Sequence, residues 1–173
     1  MKTLIVVDMQ RDFIDMALGT PEAVAIVPNV KKKIQEYHDA GNNVIYTYDT
    51  HGSDYLHTHE GKNLPVPHCI NGTEGWQISS ELTPWMTDKH VCKKCFGYNG
   101  WAMPNYGLQD CESIELVGLC TDICVVSNAL ILRSMFPEID IIVDASCCAG
   151  VTPETHKAAL TTMKMCQINV IGE

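Results

Sequence analysis

Three side chains with complementary chemistry stand directly after short apolar segments of this sequence. Asp8 follows the first apolar segment, Lys93 follows the third, and Cys124 lies in the turn after the fourth. A cysteine in the first turn of a helix is favoured as a thiolate, and backbone N–H groups at the same place can hold an oxyanion. The three residues therefore predict nucleophilic attack on a carbonyl carbon, assisted by a carboxylate and an ammonium group.

Each of these residues also has a purely structural interpretation. Asp8 can cap a turn or a helix, and Lys93, which is followed by another lysine, can be a solvated residue at a sheet edge. Cys124 can be a buried structural thiol, because the chain contains nine cysteines. Its position at a strand-to-helix turn, with Thr121 as the expected N-cap, distinguishes Cys124 from the other cysteines.

A second group of polar residues has the ligand types of a transition-metal site. Imidazole and carboxylate side chains suit Zn²⁺, Fe²⁺ or Mn²⁺, with open coordination positions for water. The segment 49–75 that carries them shows little periodicity and follows a predicted strand, where α/β sheets place their ligands. Spacing leaves open which of the candidates bind, namely Asp49, His51, His57, His59, Glu60 and His68.

Cys92 and Cys95 form a C-x-x-C motif around Lys93. Such a motif can be a redox pair or half of a zinc site, but the sequence has no second one to complete a four-cysteine site. On a strand the two cysteines would face opposite sides. A non-catalytic metal or redox protein that uses this pair and the loop histidines is one alternative function.

The apolar segments alternate with helical patterns along the chain, which is typical of parallel α/β sheets. Short continuous apolar segments indicate strands that are covered on both faces. We therefore expect an α/β three-layer sandwich with a central parallel sheet of about six strands, formed by a single domain over residues 1–173. The predicted strands lie near residues 4–7, 44–48, 90–92, 114–117, 139–143 and 168–171.

The helices that connect these strands have recognisable ends. The first covers about residues 21–40 and ends at Gly41. The second begins at Thr121 and ends before Pro137, and the third begins with Thr152 as its N-cap, followed by a proline.

Composition and charge exclude several classes of protein. The chain has 173 residues, 46% of them hydrophobic and 19% charged, which is a globular and not a disordered composition. Its net charge of −9 should repel phosphate backbones and anionic lipids, so we expect no nucleic-acid and no membrane partner.

No apolar segment reaches the ~18–20 residues of a membrane span, and the N-terminus lacks a signal-peptide pattern. An odd number of cysteines, two of them adjacent, indicates reduced thiols and a cytoplasmic protein.

Several motifs occur in an order that resembles one known family. They are VVDMQRDF, YDTH, LPVPHC followed by NGTEGW, KKCFG, VGLCTDICV, and finally DASCCAG with PETHKAAL. Together they resemble the isochorismatase-like cysteine hydrolases, and most closely the nicotinamidase/pyrazinamidase branch. The resemblance extends from Leu4 to the C-terminus and implies the isochorismatase-like fold.

The resemblance implies roles for the first group of residues. The family's catalytic Asp, Lys and Cys correspond to Asp8, Lys93 and Cys124, and Lys93 is preferred to its neighbour because an aromatic residue, Phe96, follows three positions later. The oxyanion hole would be formed by the backbone N–H groups of Cys120 and Cys124, after a cis peptide bond that precedes Cys120.

The resemblance also implies one divalent metal ion, with zinc expected first and iron or manganese as alternatives. Asp49, His51 and His68 correspond to three ligands of the family. The remaining protein ligand is a histidine in some branches, here His57, and a glutamate in others, here Glu60. The sequence Glu-Gly-Lys-Asn-Leu-Pro that begins at Glu60 resembles the glutamate branch, so we expect Glu60.

The implied reaction is hydrolysis of nicotinamide to nicotinate and ammonia through a cysteine acyl-thioester, in NAD salvage by a homo-oligomer. Phe13 and Phe96 are the expected substrate-binding residues. A second aromatic residue that the family carries shortly before its last histidine is missing here, since Leu-Pro-Val-Pro occupies residues 64–67. A related hydrolase of another small amide or ureido compound is therefore the alternative within the same fold.

Overall fold

A computed structural model describes residues 1–86 and 89–173, and within them six parallel strands form one sheet. The strand order across the sheet is β3-β2-β1-β4-β5-β6. Each strand expected from the apolar segments is present, which confirms the predicted central parallel sheet. The strands are β1 (Thr3–Val7), β2 (Asn43–Asp49), β3 (His90–Lys93), β4 (Ser113–Leu119), β5 (Asp140–Ala149) and β6 (Asn169–Ile171).

Helices cover both faces of this sheet and complete the three-layer sandwich. The helices are α1 (Arg11–Ile14), α2 (Pro21–Asp39), α3 (His59–Asn63), α4 (Val126–Met135) and α5 (Pro153–Met165). Alternate residues of β1 enter different cores: Ile5 and Val7 pack in the core that holds α4 and α5, whereas Leu4 and Val6 pack in the core that holds α2. Burial on both faces explains why residues 4–7 are continuously apolar.

Two of the predicted helix ends are confirmed by their capping contacts. The Thr20 hydroxyl accepts a hydrogen bond from the Ala23 N–H at the start of α2, and Gly41 after its end has a left-handed φ of +66°. At the start of α5, Thr152 forms a reciprocal capping box with Thr155.

The expected cap of the second helix is wrong. Thr121 lies inside a wide π-helical turn, Thr121–Val125, which leads into α4. The buried Thr121 hydroxyl makes a 2.8 Å hydrogen bond to Nδ1 of His156 on α5 and caps no helix. Tertiary contact with α5 therefore replaces the local capping contact that the sequence suggested.

The close approach of β1 and β4 requires glycine at position 118. Gly118 pairs with Val7 in the parallel register and has a φ of +116°. A Cβ atom at this position would lie 2.1 Å from the Val7 carbonyl oxygen, so no side chain fits. The end of β4 can thus lie against β1 immediately before the turn that carries Cys120 and Cys124.

A buried ion cluster joins α2 to β4 and β5. Lys33 Nζ lies 2.8 Å from a carboxylate oxygen of Glu115 and 2.8 Å from one of Asp144. The Tyr37 hydroxyl donates to Glu115 at 2.6 Å, and Ser146 donates its N–H and hydroxyl to Asp144. Burial alone would raise the pKa of the Asp144 carboxyl, but the hydrogen bonds from Lys33 and Ser146 bring this pKa below its ordinary value.

We expect Lys33→Met to lower the free energy of unfolding by ~3 kcal/mol at neutral pH, because two buried carboxylates lose their shared cation. A carboxyl group whose pKa is lower in the folded than in the unfolded chain stabilises the fold at pH values above its unfolded pKa of ~3.9. This stabilisation is lost as the pH falls through the pKa of the folded state. The difference between variant and wild type should therefore shrink below pH ~4. Urea unfolding across this pH range measures the difference. Lys32→Met, which changes a lysine with a 79% exposed side chain, is the control; equal losses in both variants would contradict the prediction.

All nine cysteines lie in the described part of the chain and are free thiols. Among the described residues, no helix combines the length and the apolar character needed to cross a bilayer.

Candidate active site

The carboxyl ends of β1 to β4 lie along one edge of the sheet. A cleft of about 960 Å³ opens there, lined by residues at or directly after the ends of β2, β3 and β4. The strand order reverses between β1 and β4, and ligands of open α/β sheets bind at such a reversal. Asp8 follows β1, Asp49 and Lys93 end β2 and β3, and Cys124 lies in the turn after β4. Four residues that are distant in sequence are therefore brought to one place by the parallel topology.

Asp8 is held in an unusual backbone conformation at the end of β1. Its φ is +47°, a left-handed value that is rare outside glycine and asparagine, and its side chain is fully buried. The Thr47 hydroxyl donates to the Asp8 carboxylate at 2.6 Å and accepts from the Asp8 N–H at 3.1 Å. These two contacts fix the direction of the carboxylate toward Lys93.

Lys93 lies at the centre of the predicted catalytic group. Its Nζ is 2.6 Å from the Asp8 carboxylate, 3.4 Å from the Cys124 sulfur, and 3.6 Å from the Asp49 carboxylate. The lysine side chain is 0% exposed, which excludes the alternative of a solvated lysine at the sheet edge. The structure thus brings Asp8, Lys93 and Cys124 together as the sequence predicts.

Burial controls the protonation of this group. Burial would lower the pKa of the Lys93 ammonium, but the neighbouring carboxylates, first that of Asp8 and then that of Asp49, raise it above its ordinary value. Burial, and next the charge of Asp8, raise the pKa of the Cys124 thiol well above its ordinary value. Burial therefore favours the thiol form of Cys124 over the thiolate that the helix dipole predicts.

Four of the six candidate metal ligands converge a short distance from Lys93. The ligand atoms of Asp49, His51, Glu60 and His68 all lie within 4.8 Å of one another. Nε2 of His51 is 3.0 Å from the Asp49 carboxylate and 3.6 Å from that of Glu60, and Nε2 of His68 is 3.7 and 3.6 Å from the same oxygens. Ligand atoms at ~2.1 Å from one ion and ~90–120° apart lie ~3.0–3.6 Å from each other, so the group fits a single ion.

Contacts outside the cluster orient its members. The Nδ1–H of His68 donates to the Val66 carbonyl at 2.8 Å, which leaves Nε2 as the acceptor that faces the cluster. The Gln10 side chain bridges the backbone N–H and C=O of Asp49. Oδ1 of Asp49 is buried without a hydrogen-bond donor. Burial would raise the pKa of this carboxyl, but the hydrogen bond with His51 and the charge of Lys93 lower it. A buried carboxylate that is held ionised beside two imidazoles suits a divalent cation.

The remaining candidate ligands lie apart from this cluster. His57 is exposed and does not belong to the group, whereas Glu60 does, in agreement with the expected glutamate. Phe13 and Phe96 both line the cleft: the Phe13 ring is centred 5.4 Å from the His68 ring, and Phe96 is 45% exposed.

The oxyanion residues lie where the sequence predicts. Cys120 and Cys124 both line the cleft, and the Leu119–Cys120 peptide bond is cis.

The C-x-x-C motif does not form a pair. Cys92 and Cys95 are both exposed free thiols, and among the residues that the structure describes neither belongs to a metal-ligating group. Cys92 lies on the face of β3 opposite to the buried Lys93, whereas Cys95 donates to the Gly97 carbonyl and lines the cleft. This arrangement does not favour the metal or redox alternative.

Several residues of the site escaped the sequence analysis. Thr47 orients Asp8, Gln10 holds Asp49, and His156 holds the turn of Cys124 through Thr121. Thr47 and Gln10 each lie two residues from a predicted site residue, which was the one local signal available. His156 is 35 residues from Thr121, and nothing in the local pattern indicates this contact.

Comparisons with known proteins agree with this fold. A family model described as the isochorismatase domain matches residues 2–172. The nicotinamidase/pyrazinamidase of Mycobacterium tuberculosis is 26% identical over 99% of this chain and 98% of its own. The crystal structure of nicotinamidase PncA from Bacillus subtilis has a TM-score of 0.84 at 27% identity over 98% of each chain. The pyrazinamidase of Pyrococcus horikoshii in complex with zinc has a TM-score of 0.81 at 24% identity over 99% of each chain.

The three-layer sandwich with its parallel sheet and the match to the family model together define the class of this protein. The chain belongs to the isochorismatase family. Within that family it is a hydrolase that acts on amide bonds, in keeping with its nicotinamidase relatives. The resemblance predicted from the sequence motifs is thereby confirmed.

Proposed function

We propose that the protein hydrolyses nicotinamide to nicotinate and ammonia through an acyl-thioester on Cys124. The observation that carries the proposal is one cleft with two parts. A buried thiol in contact with an Asp–Lys ion pair lies on one side, and a compact imidazole–carboxylate cluster lies on the other. The names of the relatives from Mycobacterium tuberculosis and Bacillus subtilis support this substrate.

Formation of the thioester requires a base and an oxyanion site. Asp8 accepts the thiol proton of Cys124 as its sulfur attacks the amide carbon, and the ammonium of Lys93 stabilises the developing negative charge. The backbone N–H groups of Cys120 and Cys124 hold the oxyanion. The tetrahedral intermediate then breaks its C–N bond, Asp8 returns the proton to the nitrogen, and ammonia leaves.

The same residues complete the cycle with water. Asp8, again a carboxylate, removes a proton from a water molecule that attacks the thioester carbon. The C–S bond breaks, the carboxylic acid leaves, and the proton held by Asp8 returns to the Cys124 sulfur. Burial of Asp8 raises its pKa although Lys93 opposes this shift, which favours transfer of a proton in both directions.

Asp49, His51, Glu60 and His68 would hold one divalent ion, for which we propose zinc. When bound, such an ion would supply a Lewis acid beside the substrate ring. The nitrogen and oxygen ligands of the cluster are those that zinc accepts, and the pyrazinamidase of Pyrococcus horikoshii is a relative in complex with zinc. Phe13, beside His68, would pack against the substrate ring, with Phe96 at the mouth of the cleft.

We further propose that the reaction serves NAD salvage in the cytoplasm, where nine free thiols stay reduced. We also propose a homo-oligomer, which analytical ultracentrifugation of the purified protein would measure.

The first experiment is ammonia release from nicotinamide by the zinc-loaded protein. We expect multiple turnovers, with one equivalent of nicotinate formed for each equivalent of ammonia. Stoichiometric zinc with no ammonia released from nicotinamide would overturn the proposed substrate. A panel of ureido compounds, tested in the same assay, would then identify the alternative hydrolase.

A further inference from the structure

The cleft is much larger than the amide proposed above requires. Its volume of about 960 Å³ lies at the upper end of the ~300–1,000 Å³ range of pockets that enclose drug-sized ligands. A single pyridine ring with a carboxamide fills a small part of such a volume. The floor of the cleft, formed by Cys124 and the metal-ligating cluster, therefore leaves a wide outer region free for a further part of the substrate.

The outer region of the cleft has apolar walls from separate parts of the chain. Leu64 follows α3, Phe96 follows β3, and Val151 follows β5; their exposed fractions are 37%, 45% and 53%. Leu18 and Ile123, both half-buried, line the same cleft. Large apolar side chains that remain exposed around one concave site mark a surface that gains stability when an apolar group covers it.

The charges of the walls disfavour an anionic substrate. Among the described residues that line the cleft, the carboxylates are Asp49, Asp54 and Glu60, and Lys94 is the one lysine or arginine. A divalent ion would balance Asp49 and Glu60, and Lys94 would balance Asp54. The cleft therefore has no excess of positive charge with which to attract a carboxylate.

We propose that the preferred substrates are uncharged heteroaromatic carboxamides that carry an apolar substituent on the ring, held by the apolar outer wall. This inference rests on the proposed function, because the carboxamide is placed at Cys124. The substituent extends between Leu64 and Val151, where it displaces water from both side chains. Each methylene group that becomes buried strengthens binding by ~0.8 kcal/mol, or about four-fold.

Ammonia release from three amides tests this inference with the zinc-loaded protein. They are nicotinamide, nicotinamide with a butyl group on the ring, and the matching derivative with a terminal carboxylate on that chain. We expect kcat/KM for the butyl derivative to exceed that for nicotinamide by about ten-fold, because an open wall buries roughly two methylene groups of the chain and leaves the rest in water. The carboxylate should cancel most of this gain. Equal kcat/KM values for nicotinamide and the butyl derivative, or a preference for the carboxylate, would overturn the inference.

A pair of leucine variants tests the wall itself. The kcat/KM value for the butyl derivative, divided by that for nicotinamide, should be about five-fold lower in Leu64→Ala than in the wild type. Leu56→Ala is the matched control, because Leu56 is 50% exposed, lies in the same segment and does not line the cleft; it should leave the ratio unchanged. Equal ratios in both variants and wild type would contradict the proposed wall.

Calorimetric binding of the same three ligands separates this inference from the proposed function. If no amide releases ammonia but the butyl derivative binds about ten-fold more tightly than nicotinamide, the apolar wall is supported and the proposed function is wrong. If nicotinamide is hydrolysed and no preference is found in turnover or binding, the proposed function stands and the inference is wrong. Absence of both turnover and preference would overturn both.

Discussion

Cys124→Ala is expected to lower the turnover of the proposed amide substrate by at least ~10⁴-fold, because the variant has no atom that can form the acyl-thioester. The sulfur is the nucleophile of the proposed reaction, and the proton transfers of Asp8 depend on the bond that the sulfur forms. The buried cavity left by the sulfur is small, so the fold should be retained. Single-turnover kinetics with ammonia detection, together with thermal unfolding, measure both quantities.

Cys148→Ala is the matched control for this variant. Cys148 is also a buried free thiol, with 4% exposure, but it belongs to β5 and does not line the cleft. We expect the control to lose some stability and to keep its kcat. Bound zinc should be unchanged in both variants, since neither residue belongs to the metal-ligating cluster. A Cys124→Ala protein with wild-type turnover would exclude the thioester mechanism.

Glu60→Ala is expected to weaken zinc binding by more than ~100-fold and to reduce turnover to a similar extent, because a ligand itself is removed. His57→Ala is the matched control, since His57 is the alternative ligand that the sequence left open and lies three residues earlier, exposed and outside the cluster. It should keep zinc and activity. Metal analysis after dialysis, with zinc titration of each variant, gives the affinities directly.

The opposite result for zinc binding by the two variants would also be informative. Loss of zinc in His57→Ala with retention in Glu60→Ala would show that the loop rearranges on metal binding and that His57 is the ligand. Full zinc content in both variants, and in His51→Ala as well, would place the metal outside this cluster. Because zinc content is measured without substrate, the result does not depend on the identity of the amide.

The sequence by itself determined the elements and the chemical character of the site. A continuous apolar segment such as residues 4–7 is typical of a strand that is buried on both faces, and the structure has this strand as β1. Thr152 and Gly41 mark helix ends through contacts within one turn. Asp8, Lys93 and Cys124 follow strands, and all strands of a parallel sheet point the same way. Their meeting at one edge therefore follows from the topology.

Only the tertiary structure decided which residues touch. It placed Glu60, which lies in α3, 3.6 Å from His51 in the cluster, whereas His57 precedes this helix and is exposed. It also supplied Thr47 for Asp8 and His156 for Thr121, across 39 and 35 residues of sequence. The local periodicity of the sequence indicates which face of a helix or strand is buried. The contacts of Thr47 with Asp8 and of His156 with Thr121 depend instead on how separate helices and strands pack together. For that reason the walls of the cleft, and with them the selection of substrate, are properties of the folded chain.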